Sequence, residues 1–181
     1  MIKIKILKNI IKSESNIRTE KDFPIKGIEF IDINPLLIQG NTLEEITNLF
    51  VEEIKDKKID YIVAPEARGF LIGTVVANKL KIGLIPVRKK GKMPPTTVAK
   101  EFEYEKEYGK DTLVLPKLVK EEYKNKNFYI IDDIYATGNT AQAIKKAIED
   151  MEGNVLGIGV ILNIVKLNND KVFSLIDINE E

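Results

Sequence analysis

The chain of 181 residues contains no cysteine and no histidine. The first absence excludes disulfides, thiolate-bound zinc and a thiol nucleophile. The second removes the side chain that ordinarily titrates near neutrality, so acid–base work would fall to Asp, Glu, Lys or Tyr. An excess of either charge is lacking too, because 28 Lys and Arg balance 28 Asp and Glu. No overall positive field gathers nucleic acid or an anionic membrane, and any basic site has to be local. No segment approaches the roughly 18 successive apolar residues that a membrane-spanning helix needs. Met1 to Lys8 alternates apolar and charged side chains, which predicts a strand and not the unbroken apolar run of a signal peptide. The expectation is a cytoplasmic protein with neither nucleic acid nor membrane as partner.

What is present suits a single domain over residues 1–181, since 44% of the chain is hydrophobic. Thr42 to Glu45 has the form of a capping box, and Leu43, Ile46, Leu49, Phe50 and Ile54 recur at helical spacing. Tyr61 to Ala64 predicts a short strand closed by Pro65, Gly69 to Leu80 a helix, and Leu84 to Val87 another strand. Met93 to Tyr108 combines adjacent prolines with many charges and no sustained apolar period, so a long surface excursion is expected. Thr112 to Leu115 and Phe128 to Ile131 read as strands, the second apolar enough to be buried on both faces. Ala141, Ile144, Ala147, Ile148 and Met151 mark a helix that should stop with Gly153 at its C′ position, before strands at Val155 to Val165 and Val172 to Ile176. This alternation predicts an α/β fold with a mostly parallel central sheet flanked by helices, and a ligand site beyond the strand C-termini.

The segment Ile130-Ile-Asp-Asp-Ile-Tyr-Ala-Thr-Gly-Asn-Thr140 carries the clearest chemistry. A buried strand should end in two acids, turn through Ala136, Thr137, Gly138 and Asn139, and enter a helix at Thr140. The backbone N–H groups of such a turn converge on one spot where the helix dipole favours an anion. Gly138 permits the tight conformation, and Thr137 and Thr140 add hydroxyl donors. Asp132 and Asp133 would repel the anion unless they face a sugar diol or a bound Mg²⁺. The loop therefore suits a phosphorylated sugar. It is neither a Walker A loop nor a dinucleotide fingerprint, because neither glycine pattern occurs.

With this loop the chain resembles the type I phosphoribosyltransferases, which bind 5-phosphoribosyl diphosphate (PRPP) through an apolar run, two acids and a Thr-Gly-x-Thr turn. Asp22 to Ile33, Glu66 to Phe70, Val87 to Lys92 and Glu103 to Gly109 are similar, in the same order, to successive signatures of the adenine-specific branch of that family. The resemblance extends from Arg18 to Ile176. It implies the type I fold, with a small N-terminal hood over residues 1–33 and a mobile lid over 91–109.

Residue by residue, the resemblance makes Glu66, Ala67 and Arg68 a pyrophosphate loop, with a cis peptide between Glu66 and Ala67. Ala67 stands where the family usually has serine. Arg88, Lys89 and Lys92 would add positive charge for the leaving group. Glu107 aligns with the catalytic glutamate that handles the proton of the base, and Tyr108 follows it among the PRPP-binding positions. This lid is a little longer than usual, so Glu105 is the alternative to Glu107. Phe30 would stack on the base and Ile164 would lie on its other face, while Ile31 replaces a usual arginine. Asn139 replaces a common glycine and is expected to tolerate a left-handed backbone. The resemblance further implies a homodimer, Mg²⁺ carried mainly on PRPP beside Asp132 and Asp133, and conversion of adenine and PRPP to AMP and pyrophosphate. A 6-oxopurine substrate (hypoxanthine, guanine or xanthine), or a PRPP-binding regulator without turnover, are the alternative readings.

Overall fold

Phe128, Tyr129, Ile130 and Ile131 are four successive side chains, each at most 1% exposed. Burying such residues stabilises a fold by about 1.5–3 kcal/mol apiece, and a strand covered on both faces buries four in a row. Around this strand the computed structural model describes residues 17–23, 25–106, 109–119 and 122–178. The strand expected at Met1 to Lys8 lies outside the described residues.

The chain divides into two compact units, Met1–Leu49 and Phe50–Glu181. The first contains the antiparallel pair β1 (Arg18–Lys21) and β2 (Glu29–Asp32), in register Thr19↔Ile31 and Glu20↔Phe30. Asp22, at φ 59, turns the chain between them and accepts the Gly27 N–H at 2.7 Å. Helices α1 (Asn34–Ile38) and α2 (Gly40–Ile54) follow. The expected cap at Thr42 is displaced: α2 already begins at Gly40, because the Gln39 carbonyl accepts the Leu43 N–H at 3.1 Å and Thr42 falls inside the first turn.

The second unit runs through β3 (Tyr61–Pro65), α3 (Arg68–Leu80), β4 (Gly83–Lys89), β5 (Val98–Lys106), β6 (Gly109–Pro116), β7 (Asn127–Tyr135), α4 (Asn139–Glu149), β8 (Asn154–Ile164) and β9 (Phe173–Ile178). Its seven-stranded sheet has the order β5-β6-β4-β3-β7-β8-β9. The five strands from β4 to β9 are parallel, and β6 and β5 extend one edge antiparallel. This is the mostly parallel α/β fold expected. Phe128 and Ile130 share a core with Ala141, Ile144, Ala147 and Ile148, the apolar stripe of α4. The Phe128 ring is also near-parallel to those of Tyr123 and Tyr61, with centroids 5.2 and 5.9 Å away. No helix among the described residues is long and apolar enough to cross a membrane.

Three expectations need correction. Residues 98–106 are not an aperiodic excursion but an edge strand whose side chains alternate. Phe102 and Tyr104 turn toward the core while Glu101, Glu103 and Glu105 stay exposed. With only two inward apolar residues separated by acids, the period of two is easily read as a charged loop. Second, β7 does not end before its acids. Its pairing with β8 continues through Ile134↔Leu162 and Tyr135↔Asn163, so Asp132 and Asp133 lie within the strand. Third, the left-handed residue after α4 is Glu152, at φ 60, and not Gly153. Gly153 is needed for space instead: a Cβ there would lie 2.7 Å from both Ile148 Cγ2 and Phe128 Cε2.

A Gly153→Ala substitution should therefore destabilise the fold by about 1–3 kcal/mol through overpacking, read as a lower denaturation midpoint with an unchanged slope.

Candidate active site

Strand pairing places the site. From β3 the chain crosses through α3 to β4 on one side, and from β7 it crosses through α4 to β8 on the other. Right-handed crossovers in opposite directions put α3 and α4 on opposite faces and leave a crevice between the ends of β3 and β7. The register shows it opening: β3 pairs with β7 only as far as Val63↔Ile130. Meanwhile β3 stays on β4 through Pro65↔Val87 and β7 stays on β8 through Tyr135↔Asn163.

Both helices begin at this crevice without a side-chain cap and without an acid in the first turn. Their N-terminal N–H groups and positive dipole ends are thus left to an anion. Gly138 precedes α4 at φ +80, and a Cβ there would collide with the Tyr135 hydroxyl. Asn139 is the first residue of α4, so Gly138 and not Asn139 supplies the left-handed conformation. Gly69 lets the start of α3 press against β7, since a Cβ would lie 3.0 Å from the Ile131 carbonyl and 3.1 Å from Asp132 Oδ1. Thr137 is exposed, and Ala136 and Thr140 are half-buried around this turn.

The charged residues interlock across the gap. Arg68 Nε pairs with Asp133 Oδ2. That oxygen is buried and accepts no well-aligned hydrogen bond, so the guanidinium charge is what compensates it. Asp132 lies beside this pair. Burial, then the neighbouring Asp133 charge, raise its carboxyl well above the usual range. At the end of β3 the Glu66–Ala67 peptide is cis, as expected. Glu66 Oε2 accepts the Arg88 Nε–H at 3.3 Å and the Lys89 N–H at 3.1 Å. Burial alone would raise the Glu66 carboxyl, but these two donors outweigh it and hold it below its ordinary value. The Lys89 and Lys92 side chains are exposed nearby.

The structure thus brings together Glu66, Ala67, Arg68, Arg88, Asp132, Asp133 and the turn 136–140. Glu107 and Tyr108 lie outside the described residues. Phe30 is half-buried on β2, edge-on to Phe23 with ring centroids 5.2 Å apart, and Ile31 turns inward at 8% exposure. Ile164 ends β8, half-buried. Sequence reasoning passed over Tyr135, Gln142, Asn168 and Asp170. The Tyr135 hydroxyl donates to Asp170 Oδ2 at 2.6 Å and accepts from Gln142 Nε2 at 2.9 Å. Burial, reinforced by Asp170, pushes its phenol up to about 12, so it stays a neutral donor. A tyrosine inside the loop motif was an available signal, whereas Asn168 and Asp170 are too distant in sequence to announce themselves.

No group of three or more acidic side chains among the described residues could hold a metal alone. Two adjacent carboxylates, one engaged by Arg68, fit Mg²⁺ carried on a substrate, since this ion typically takes one or two carboxylates plus phosphate oxygens.

The model of the phosphoribosyl transferase domain family matches residues 33–173. The adenine phosphoribosyltransferase of Brachyspira hyodysenteriae is 43% identical over 164 residues, covering 90% of this chain and 94% of that protein. The solved adenine phosphoribosyltransferase of Rhodothermus marinus superposes with a TM-score of 0.81 at 31% identity, covering 98% of this chain and 99% of that one. That of Saccharomyces cerevisiae, complexed with adenine and an imino-altritol bisphosphate, gives 0.80 at 33% identity, covering 97% and 99%.

The raised Asp132 carboxyl has a consequence for stability. Below about pH 4 the group is protonated in both folded and unfolded chains, so Asp132→Asn should be neutral there. As pH rises the unfolded chain ionises first and the folded one resists, so the substitution should become stabilising and level off above the folded value. Denaturation measured between about pH 4 and pH 8 checks this, and a benefit that shrinks with rising pH would contradict it.

Proposed function

Because this chain belongs to the phosphoribosyl transferase family, we propose that it transfers the 5-phosphoribosyl group of PRPP to adenine, forming AMP and releasing pyrophosphate. The observation that carries this reading is the splayed end of β3 and β7, where two uncapped helices and the Arg68–Asp133 pair meet. Two anionic groups of one molecule can be received there, a monophosphate on the Ala136 to Thr140 turn and a diphosphate on the Glu66 to Arg68 loop. Asp132 and Asp133 face the sugar diol between them. Asp132 and Asp133 would hold Mg²⁺ carried on PRPP, which would supply further neutralisation of negative charge. Arg68, Arg88, Lys89 and Lys92 stabilise the negative charge that builds on pyrophosphate as the C1′–O bond breaks. The sugar passes through an oxocarbenium-like state, N9 of adenine forms the new bond to C1′, and the N9 proton leaves to a carboxylate.

That carboxylate is assigned to Glu107, with Tyr108 completing the PRPP site, and base recognition to Phe30 and Ile164, all on the resemblance. Glu105, exposed and opposite Lys110 in the hairpin, is the alternative base. Residues 91–109 are assigned as a lid whose closure excludes water from the activated sugar. We further assign a homodimer. A substrate as highly charged as PRPP does not cross a bilayer, which supports a cytoplasmic enzyme.

Supplied with Mg²⁺ and PRPP, the protein should release pyrophosphate with adenine at least about 100-fold faster than with hypoxanthine, guanine or xanthine. Release with none would sink the reaction, and preference for a 6-oxopurine would sink the assignment of the base. For the proton acceptor, Glu107→Gln should lower kcat by about 100-fold and Glu105→Gln by far less. The reverse order would move the role to Glu105.

A further inference from the structure

The segment after β8 returns against the phosphate turn. Asn168 Nδ2 lies 2.8 Å from the Ala136 carbonyl oxygen, 3.0 Å from Asn163 Oδ1 and 3.1 Å from the Ile164 carbonyl oxygen. An amide has two N–H hydrogens, so three acceptors share them, and the reverse orientation would set oxygen against oxygen. Asn168 Oδ1 accepts the Asp170 N–H at 3.2 Å. Asp170 Oδ2 then accepts the Tyr135 hydroxyl, which Gln142 of α4 also reaches. Tyr135 is 2% exposed, and its ring occupies the space a Cβ at Gly138 would need. The turn is therefore gripped at a carbonyl, from beneath by a ring, and at the helix that follows.

None of these bonds uses the backbone N–H groups of residues 137–140. In a trans peptide the carbonyl and the following N–H point in opposite directions. Holding the Ala136 carbonyl toward Asn168 thus aims the Thr137 N–H the other way, away from Asn168. The same amide also holds the carbonyl of Ile164. One side chain with no assigned contact to any substrate fixes both the phosphate turn and the residue assigned to the base.

We propose that Asn168 is a positioning residue, which presents the Thr137 N–H to the 5′-phosphate of PRPP and keeps the phosphate turn in step with Ile164, with Asp170 and Tyr135 as its second hold on the turn. The inference rests on the phosphoribosyl-transfer reading of the site. It predicts a defect in phosphate binding that exceeds any defect in the chemical step.

The test is calorimetric titration of ribose 5-phosphate into the wild-type protein and into Asn168→Ala, Asn168→Asp and Tyr135→Phe, with melting temperatures for each and kcat and KM for PRPP alongside. Asn168→Ala should weaken ribose 5-phosphate binding and raise the PRPP KM by about tenfold, one well-placed hydrogen bond's worth, with kcat within about twofold. Asn168→Asp should be worse than alanine despite its matching size, because its carboxylate would face three oxygens and add negative charge beside the phosphate. Tyr135→Phe keeps the ring under Gly138 and should weaken binding by about threefold. A lower melting temperature with unchanged ribose 5-phosphate affinity in Asn168→Ala would overturn the proposal, and so would unaltered affinity in Tyr135→Phe should the Asn168 variants not fold. Wild-type protein that fails to bind ribose 5-phosphate would overturn the phosphate site and this inference with it. Wild-type protein that binds it without turning over any purine would sink only the transfer reaction, leaving the variants to decide this proposal.

Discussion

The Arg68–Asp133 ion pair is the contact on which the rest of the site depends. Asp133 lies inside a central strand, and its buried oxygen has no well-aligned hydrogen bond, so loss of the guanidinium would leave a charge uncompensated in a region of low polarisability. Arg68 is the first residue of α3, and pinning its side chain to β7 fixes where that helix begins. Gly69 permits the approach, because any larger residue would meet the Ile131 carbonyl and Asp132. A single electrostatic requirement thus ties the start of α3 to β7, and with them the two loops assigned above to opposite ends of PRPP.

Around that tie the site combines two kinds of charge management. Cations are held by acids: Arg68 by Asp133, and Arg88 by Glu66. Such pairing keeps the guanidinium groups oriented, and a guanidinium so held suits a diphosphate. The helix N-termini have no side-chain cap, so their positive ends await an anion. The polar network beneath the phosphate turn satisfies the buried Tyr135 hydroxyl and sets the turn's peptide planes without competing for the anion.

Much of this was legible in the chain because it is written locally. Ile130 to Thr140 encodes a buried strand, acids, a left-handed glycine and a helix start within eleven neighbouring residues, and each has a short-range physical cause. The parallel sheet followed from strands alternating with helical periods. Where expectation failed, the deciding contacts were distant. Val98 to Lys106 became a strand because β6 offers it an edge to pair with, which its own charged sequence does not advertise. Gly153 was expected for its backbone freedom but is there because Ile148 and Phe128 leave no room for a Cβ. The extension of β7 through its acids required the partner strand β8.

The sequence by itself determined which chemistry was available: no thiol, no imidazole, no net charge, a phosphate turn beside two carboxylates, and basic residues in two short segments. It also determined the layered α/β architecture, because apolar periodicity dictates which faces must be covered. Only the tertiary structure decided that β3 and β7 part beyond Val63 and Ile130, that Arg68 belongs to Asp133 and Arg88 to Glu66, and that Asn168 and Asp170 hold a turn more than thirty residues away. The reason is that strand register, ion pairing and side-chain amide bonds join residues through space, where separation along the chain carries no information about distance.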